Sequence, residues 1–243
     1  MTDGMLLIHA FPLDARMWQP QLAAFDGGLP VVTPHLPGFG GSGSAGERMA
    51  MGAAAERCLS ELDRAGIDRA LVCGLSMGGY VALELWRAAP ARFTGLVLAN
   101  TRAGADTEEG AAGRRALAER LLSEGSGFLV ENPPPLLSDG ASDDLKGRVR
   151  AMISEQPAAA IAAASLGMAD RPDSTPDLAQ ISVPSLVITS TLDALIPAAV
   201  SSPMAEQIPG AELAVIEGAG HLSNLEAPEE FNRLLQLHLE RCG

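Results

Sequence analysis

The sequence predicts an α/β domain: a mostly parallel sheet of about six strands, helices on both faces, and a helical segment inserted after the fourth strand. Three observations carry this. First, short continuous apolar runs alternate with segments of helical spacing. Strands that are apolar on both sides belong to parallel sheets covered by helices. Second, the alternation loses its strands from about Gly104 to Asp177 and then recovers them. Third, the apolar run Ala70-Leu71-Val72-Cys73 passes into the apolar-rich segment Tyr80 to Trp86 within a few residues, through Gly74, Ser76 and Gly78.

The elements follow in order. Met5 to His9 is an apolar strand, too short for a helix and bounded by Gly4 and Pro12. Arg16 to Phe25 has helical spacing, with Pro20 in its first turn. Pro30 to Pro34 is the second strand, and it empties into the glycine-rich loop His35 to Gly43. Glu47 to Ala65 predicts a helix stopped by Gly66. Strand, sharp turn and helix follow around Ser76, and Gly95 to Asn100 is another buried strand. In the strandless region, Arg114–Leu122, Leu145–Glu155 and Pro157–Ala169 predict helices, with Pro133-Pro134-Pro135 between the first two. Strands return at Ser185–Thr189 and Glu212–Ile216, separated by a helix over Ala198–Gln207. A final helix starts at Pro228. The expected division is a core of 1–103 and 178–243 and a helical cap of 104–177 over the carboxyl edge of the sheet.

Composition narrows the function classes. A chain of 243 residues can bury a sizeable core in one such domain. The net charge of −13 argues against nucleic acid or an anionic membrane surface as a partner. Cys58, Cys73 and Cys242 are odd in number and lack CxxC spacing, so neither a disulfide framework nor a zinc site is expected. With no basic leader and no span-length apolar stretch, a cytoplasmic protein is expected.

The turn around Ser76 is the first chemical feature. A strand that becomes a helix this abruptly strains the residue at its apex and pushes that side chain clear. Glycine is needed on either side, because a Cβ at position 74 or 78 would collide across the bend. Ser76 then sits at a helix N-terminus, where free N–H groups and the helix dipole favour developing negative charge. A serine hydroxyl still needs a base. Of His9, His35, His221 and His238, the one in a glycine-flanked loop after the last strand is His221. That loop shares the carboxyl edge with Ser76. His9 is expected to brace its loop, His35 to sit at the pocket rim, and His238 to be structural or solvated. The carboxylate that orients the base is Asp193, just past the penultimate strand. The rival position at the end of the preceding strand holds Asn100, which cannot be the anion. The oxyanion of an acyl-transfer intermediate needs two N–H donors, expected from the backbones of Met77 and Phe11.

Together these residues resemble the α/β-hydrolase fold superfamily. The resemblance rests on His9-Ala10-Phe11-Pro12, Pro37-Gly38-Phe39-Gly40-Gly41-Ser42, Gly74-Leu75-Ser76-Met77-Gly78-Gly79, the Asp193 turn, and Gly218-Ala219-Gly220-His221. It covers the chain apart from the cap. Within the superfamily the sequence is similar to small capped bacterial esterases, including the 3-oxoadipate enol-lactonase group. Three departures stand out. Ala10 replaces a usual glycine and is expected to narrow the pocket floor. Ser190 stands where a glycine is usual. The N-terminal antiparallel hairpin of the fold is missing, which leaves a new edge strand where two copies could pair; a monomer or homodimer is expected. The resemblance implies a serine hydrolase cleaving small carboxylic esters or lactones through an acyl-enzyme, with no metal or organic cofactor. Carbon–carbon hydrolysis of a diketone by the same triad is the alternative, and a ligand-binding receptor on this scaffold is a more distant one. A dehalogenase or epoxide hydrolase would need aspartate at position 76. Substrate-binding residues are expected in the 104–177 cap, where arginines such as Arg171, with Arg102 just before it, are candidates for an acidic substrate or for structural roles.

Overall fold

The computed structural model describes residues 1–243. Six parallel strands form one sheet in the order β2-β1-β3-β4-β5-β6. They are β1 (Asp3–Ile8), β2 (Val31–Val32), β3 (Arg69–Leu75), β4 (Phe93–Ala99), β5 (Ser185–Ser190) and β6 (Glu212–Ile216). The register puts the ends of the central strands level, with Ile8 opposite Gly74 and Gly74 opposite Leu98. The loops leaving those strands therefore emerge side by side at one edge. Met5 to Ile8, Ala70 to Cys73 and Leu96 to Ala99 are fully buried, as runs apolar on both sides require.

The helices cover both faces. α2 (Met51–Arg64) packs with α3 (Met77–Ala88), and α3 lies on β1, β3 and β4. α1 (Gln19–Ala24) packs with the short α10 (Ser223–Glu226) and with α11 (Pro228–Arg241), and α11 contacts β4 and β6. The edge strand β2 has two residues between Pro30 and Pro34, and a short, proline-flanked edge discourages pairing with another chain. No helix is long and apolar enough to cross a membrane.

Between β4 and β5 there is no strand. This stretch holds α4 (Glu108–Glu124), α5 (Gly127–Glu131), α6 (Asp143–Ser154) and α7 (Ala158–Ala169). α4 begins six residues before the periodicity suggests, because Thr107 caps it by accepting the Gly110 N–H at 3.1 Å. α5 is a single short helix that no periodic signal could mark.

Three other boundaries differ from expectation. The helix expected from Glu47 starts only at Met51. The segment before it runs against α7 instead, where the Met49 N–H bonds Ala163 O at 3.0 Å. A Cβ on Gly167 would lie 1.7 Å from Met49 O, so this glycine is what lets the two segments touch. The helix expected from Arg16 is a 3-10 turn over Ala15–Trp18 followed by α1. The helix over 198–207 is two pieces, α8 (Ala198–Ser201) and α9 (Pro203–Gln207). Pro203 has no N–H to continue the ladder.

Candidate active site

Ser76 links β3 to α3 with φ 55° and ψ −116°, a left-handed conformation that a side chain makes costly. Neighbours hold it there. Its N–H donates to Ala99 O at 2.9 Å, and its carbonyl accepts the Thr101 hydroxyl at 2.7 Å. The two glycines have separate reasons. A Cβ on Gly74 would meet Gly78 O at 2.2 Å, across the bend as expected. A Cβ on Gly78 would meet Ile8 O at 2.1 Å, so that glycine admits the neighbouring strand β1 rather than the bend itself.

Asp193 lies in the loop after β5, and His221 in the loop after β6. The His221 Nδ1 is 2.8 Å from Asp193 Oδ2, with both side chains buried. A donating Nδ1–H leaves Nε2 as the ring's basic nitrogen. Asp193 is satisfied on both oxygens. Oδ1 accepts the Leu195 and Ile196 N–H groups, each at 2.9 Å, and Oδ2 also accepts Asn100 Nδ2 at 2.9 Å. Burial alone would raise the Asp193 carboxyl, but the His221 ring, the Ile196 N–H and the Asn100 amide hold it below the ordinary carboxylate range.

A network that sequence reasoning missed surrounds this pair. Asn100, itself at φ 45°, donates through Nδ2 to Ser190 Oγ at 2.7 Å and accepts the Ser223 hydroxyl on Oδ1 at 2.6 Å. Ser190 in turn donates to Gly220 O at 2.6 Å, next to His221. The serine at the usual glycine position is thus a link between the acid loop and the base loop. Glu226 adds a second link: it accepts Gly220 N at 2.9 Å and Ser138 N at 3.1 Å, joining the His221 loop to the helical insertion. The sequence signal for Asn100 and Ser190 was their departure from expected types; Glu226 carried none.

Ser76 and His221 line one cavity of about 260 Å³, roofed by the insertion. Phe11, Tyr80, Leu117, Leu129 and Met168 supply apolar wall, and Arg102 and Arg114 supply charge. The hydrogen bond that His221 makes is to Asp193, and none joins its ring to the Ser76 hydroxyl. Met77 opens α3, so its N–H belongs to the unpaired first turn. The Phe11 N–H makes no backbone hydrogen bond. Ala10 is wholly buried and does not line the cavity, so it does not narrow the floor as expected.

The other histidines separate clearly. His9 is fully buried; its Nε2 accepts the Leu36 N–H at 3.1 Å, and its Nδ1 donates to Ala10 O at 3.0 Å. It braces two loops, and burial pushes its pKa down to about 4. His35 does not reach the cavity rim; it accepts the Ala15 N–H at 3.3 Å. His238 is buried in α11. Arg171 is also buried and does not line the cavity, whereas Arg114, which the sequence did not single out, does.

The comparisons with known proteins bear on the family and the fold. A sequence model of the alpha/beta hydrolase family matches residues 5–234. The 3-oxoadipate enol-lactonase 1 of Acinetobacter baylyi is 34% identical over 234 residues, covering 95% of this chain and 86% of that protein. An esterase from Thermogutta terrifontis, solved with malate bound, superposes with a TM-score of 0.95 at 36% identity, covering 100% of this chain and 90% of that one. The enol-lactonase of Burkholderia xenovorans LB400 superposes with a TM-score of 0.88 at 26% identity, covering 99% and 92%. On the family match and the fold together, this chain is a hydrolase belonging to the alpha/beta hydrolase family.

Proposed function

We propose that this protein cleaves small carboxylic esters or lactones through an acyl-enzyme. The observation that carries the proposal is the hydrogen-bonded Asp193–His221 pair opening on the same cavity as Ser76 at its strained turn. In this reading His221 Nε2 takes the hydroxyl proton as Ser76 Oγ attacks the carbonyl carbon. The resulting oxyanion is held by the Phe11 and Met77 N–H groups, each contributing about 3 kcal/mol to the barrier reduction. The intermediate collapses with loss of the alcohol, which takes the proton back from His221. Water, deprotonated by the same ring, then attacks the acyl-enzyme; the second intermediate breaks the bond to Ser76 Oγ, which takes that proton from His221, and the acid is released. Asp193 keeps the ring in the tautomer that can do this and stabilises the imidazolium.

Residues 104–177 act here as a cap over a core of 1–103 and 178–243. The similarity to an enol-lactonase and to an esterase supports esters and lactones as the substrate class. A fluorophosphonate probe tests the reading: it labels the wild-type protein and fails to label Ser76→Ala. Hydrolysis of p-nitrophenyl esters of graded chain length, alongside an enol-lactone, defines the acyl preference. Ester cleavage undiminished in Ser76→Ala would overturn the reading.

A further inference from the structure

The apolar cavity has one charged wall. Three guanidinium groups converge on a single carboxylate, Asp106, whose side chain is 1% exposed. Arg102 reaches Oδ1 through Nη2, Arg114 reaches Oδ2 through Nε, and Arg171 Nη1 lies 3.1 Å from Oδ2. No aspartate or glutamate lines the cavity. The cluster therefore carries an excess of two positive charges.

The three arginines are not equivalent. Arg171 is buried away from the cavity and held by structure, although its Nε, like that of Arg102, has no partner. Its guanidinium stacks on the Tyr80 ring at 4.0 Å and donates to Met168 O at 2.8 Å and Gly104 O at 2.9 Å. Arg102 and Arg114 instead face the cavity that holds Ser76 and His221. Each has five N–H donors. Arg102 uses one of them, on Asp106, and its buried Nε has no partner. Arg114 uses Nε on Asp106 and makes a 3.5 Å contact from Nη1 to Met168 Sδ. No other protein group accepts from their remaining N–H donors, which stay available at the partly exposed cavity wall.

Uncompensated charge beside an apolar wall is unfavourable unless a counter-ion arrives. A planar guanidinium matches a carboxylate in shape and charge. The chain as a whole carries −13, so its long-range field repels anions. Positive charge confined to this wall is a local exception to that field. We infer that Arg102 and Arg114 bind a free carboxylate on the substrate, so that esters or lactones carrying a second, ionised acid group are the preferred class. Asp106 serves as the strut that sets the two guanidinium groups side by side. The inference rests on the ester-hydrolase reading above.

The test compares matched charged and neutral esters. Monomethyl adipate against methyl hexanoate places the charge on the acyl side; 4-acetoxybutyrate against butyl acetate places it on the alcohol side. The measured quantity is the ratio of kcat/KM, charged over neutral, for the wild type and for Arg102→Gln, Arg114→Gln and Arg102→Lys. In one of the two series the wild-type ratio should exceed about 10, the worth of one charge-assisted hydrogen bond. It should fall toward one in either glutamine variant and stay intermediate in Arg102→Lys, which keeps the charge but loses the fork. A wild-type ratio at or below one in both series overturns the inference without any variant. So does a ratio that both glutamine variants, still folded by circular dichroism, leave intact. If no ester of either kind is cleaved, the ester reading fails first. Calorimetric titration with adipate still tests the site then: binding weakened in Arg102→Gln and Arg114→Gln supports it, and no binding by the wild type overturns it.

Discussion

Two regions meet at the cavity, and they are built differently. The strand-end loops hold their functional groups through many hydrogen bonds over short spans. Asp193 alone accepts from Leu195, Ile196, Asn100 and His221. The helical insertion presents mainly side chains of α4, α5 and α7, such as Leu117, Leu129 and Met168. It is tied to the core at separate points around its edge, among them Glu226 with Ser138, Gln156 with Asp14, Leu222 N with Leu136 O, and Met49 N with Ala163 O. Groups that take part in bond making need positions fixed to fractions of an ångström, and a dense network supplies that. Walls that choose a substrate need only shape and charge. The contrast implies that changes in the strand-end loops act on kcat, while changes in the insertion act on KM.

The sharpest test of that division is Asp193→Asn. The amide cannot hold His221 in the required tautomer, so kcat should fall on the order of 10⁴-fold with little change in KM. A loss confined to KM would break the comparison.

Next in size is a pH effect on stability at the loop brace. His9 is buried and neutral, with a pKa near 4 in the folded protein against about 6.5 when unfolded. The unfolded chain therefore gains the proton first. Stability present above pH 6.5 should be lost as pH falls toward 4, by about 3 kcal/mol. Urea melts across that range measure it, and His9→Gln should flatten the slope between those two pH values. An unchanged slope would remove His9 from the frame.

Asn100→Gly comes third. Glycine tolerates the φ of 45° at this position, so the change isolates the side chain. Losing one donor to Asp193 and the links to Ser190 and Ser223 should lower kcat by about 10-fold and leave KM alone. The smallest effect belongs to the insertion. Leu117→Ala removes cavity wall worth about 1 kcal/mol, so KM for a medium-chain ester should rise about five-fold at nearly constant kcat. A larger fall in kcat than in Asn100→Gly would show that the insertion also positions the reacting groups.

Legibility followed the range of the interactions. The turn at Ser76 is a local backbone problem, solved within Gly74 to Gly79, so it could be read directly. The loops at Asp193 and His221 were legible because parallel strands deliver their exits to one edge. The helix expected from Glu47 failed because a distant segment, α7, claims the backbone at Met49. Arg171 and Arg114 exchanged roles for the same reason: which arginine faces the cavity depends on how α4 and the chain after α7 pack over Tyr80.

The sequence by itself determined the strand order along the chain, the sharp turn, and the succession of serine, aspartate and histidine. Periodicity, glycine placement and strand length are properties of neighbouring residues, and they survive without knowledge of the fold. Only the tertiary structure decided that Asn100, Ser190 and Ser223 form one network, that Glu226 ties the insertion to the His221 loop, and that three arginines share Asp106. Each arrangement includes a partner far away in the chain: Ser223 is 123 positions from Asn100, Ser138 is 88 from Glu226, and Arg171 joins Arg102 and Arg114 at Asp106 from beyond α7. Their existence depends on packing that no local pattern encodes.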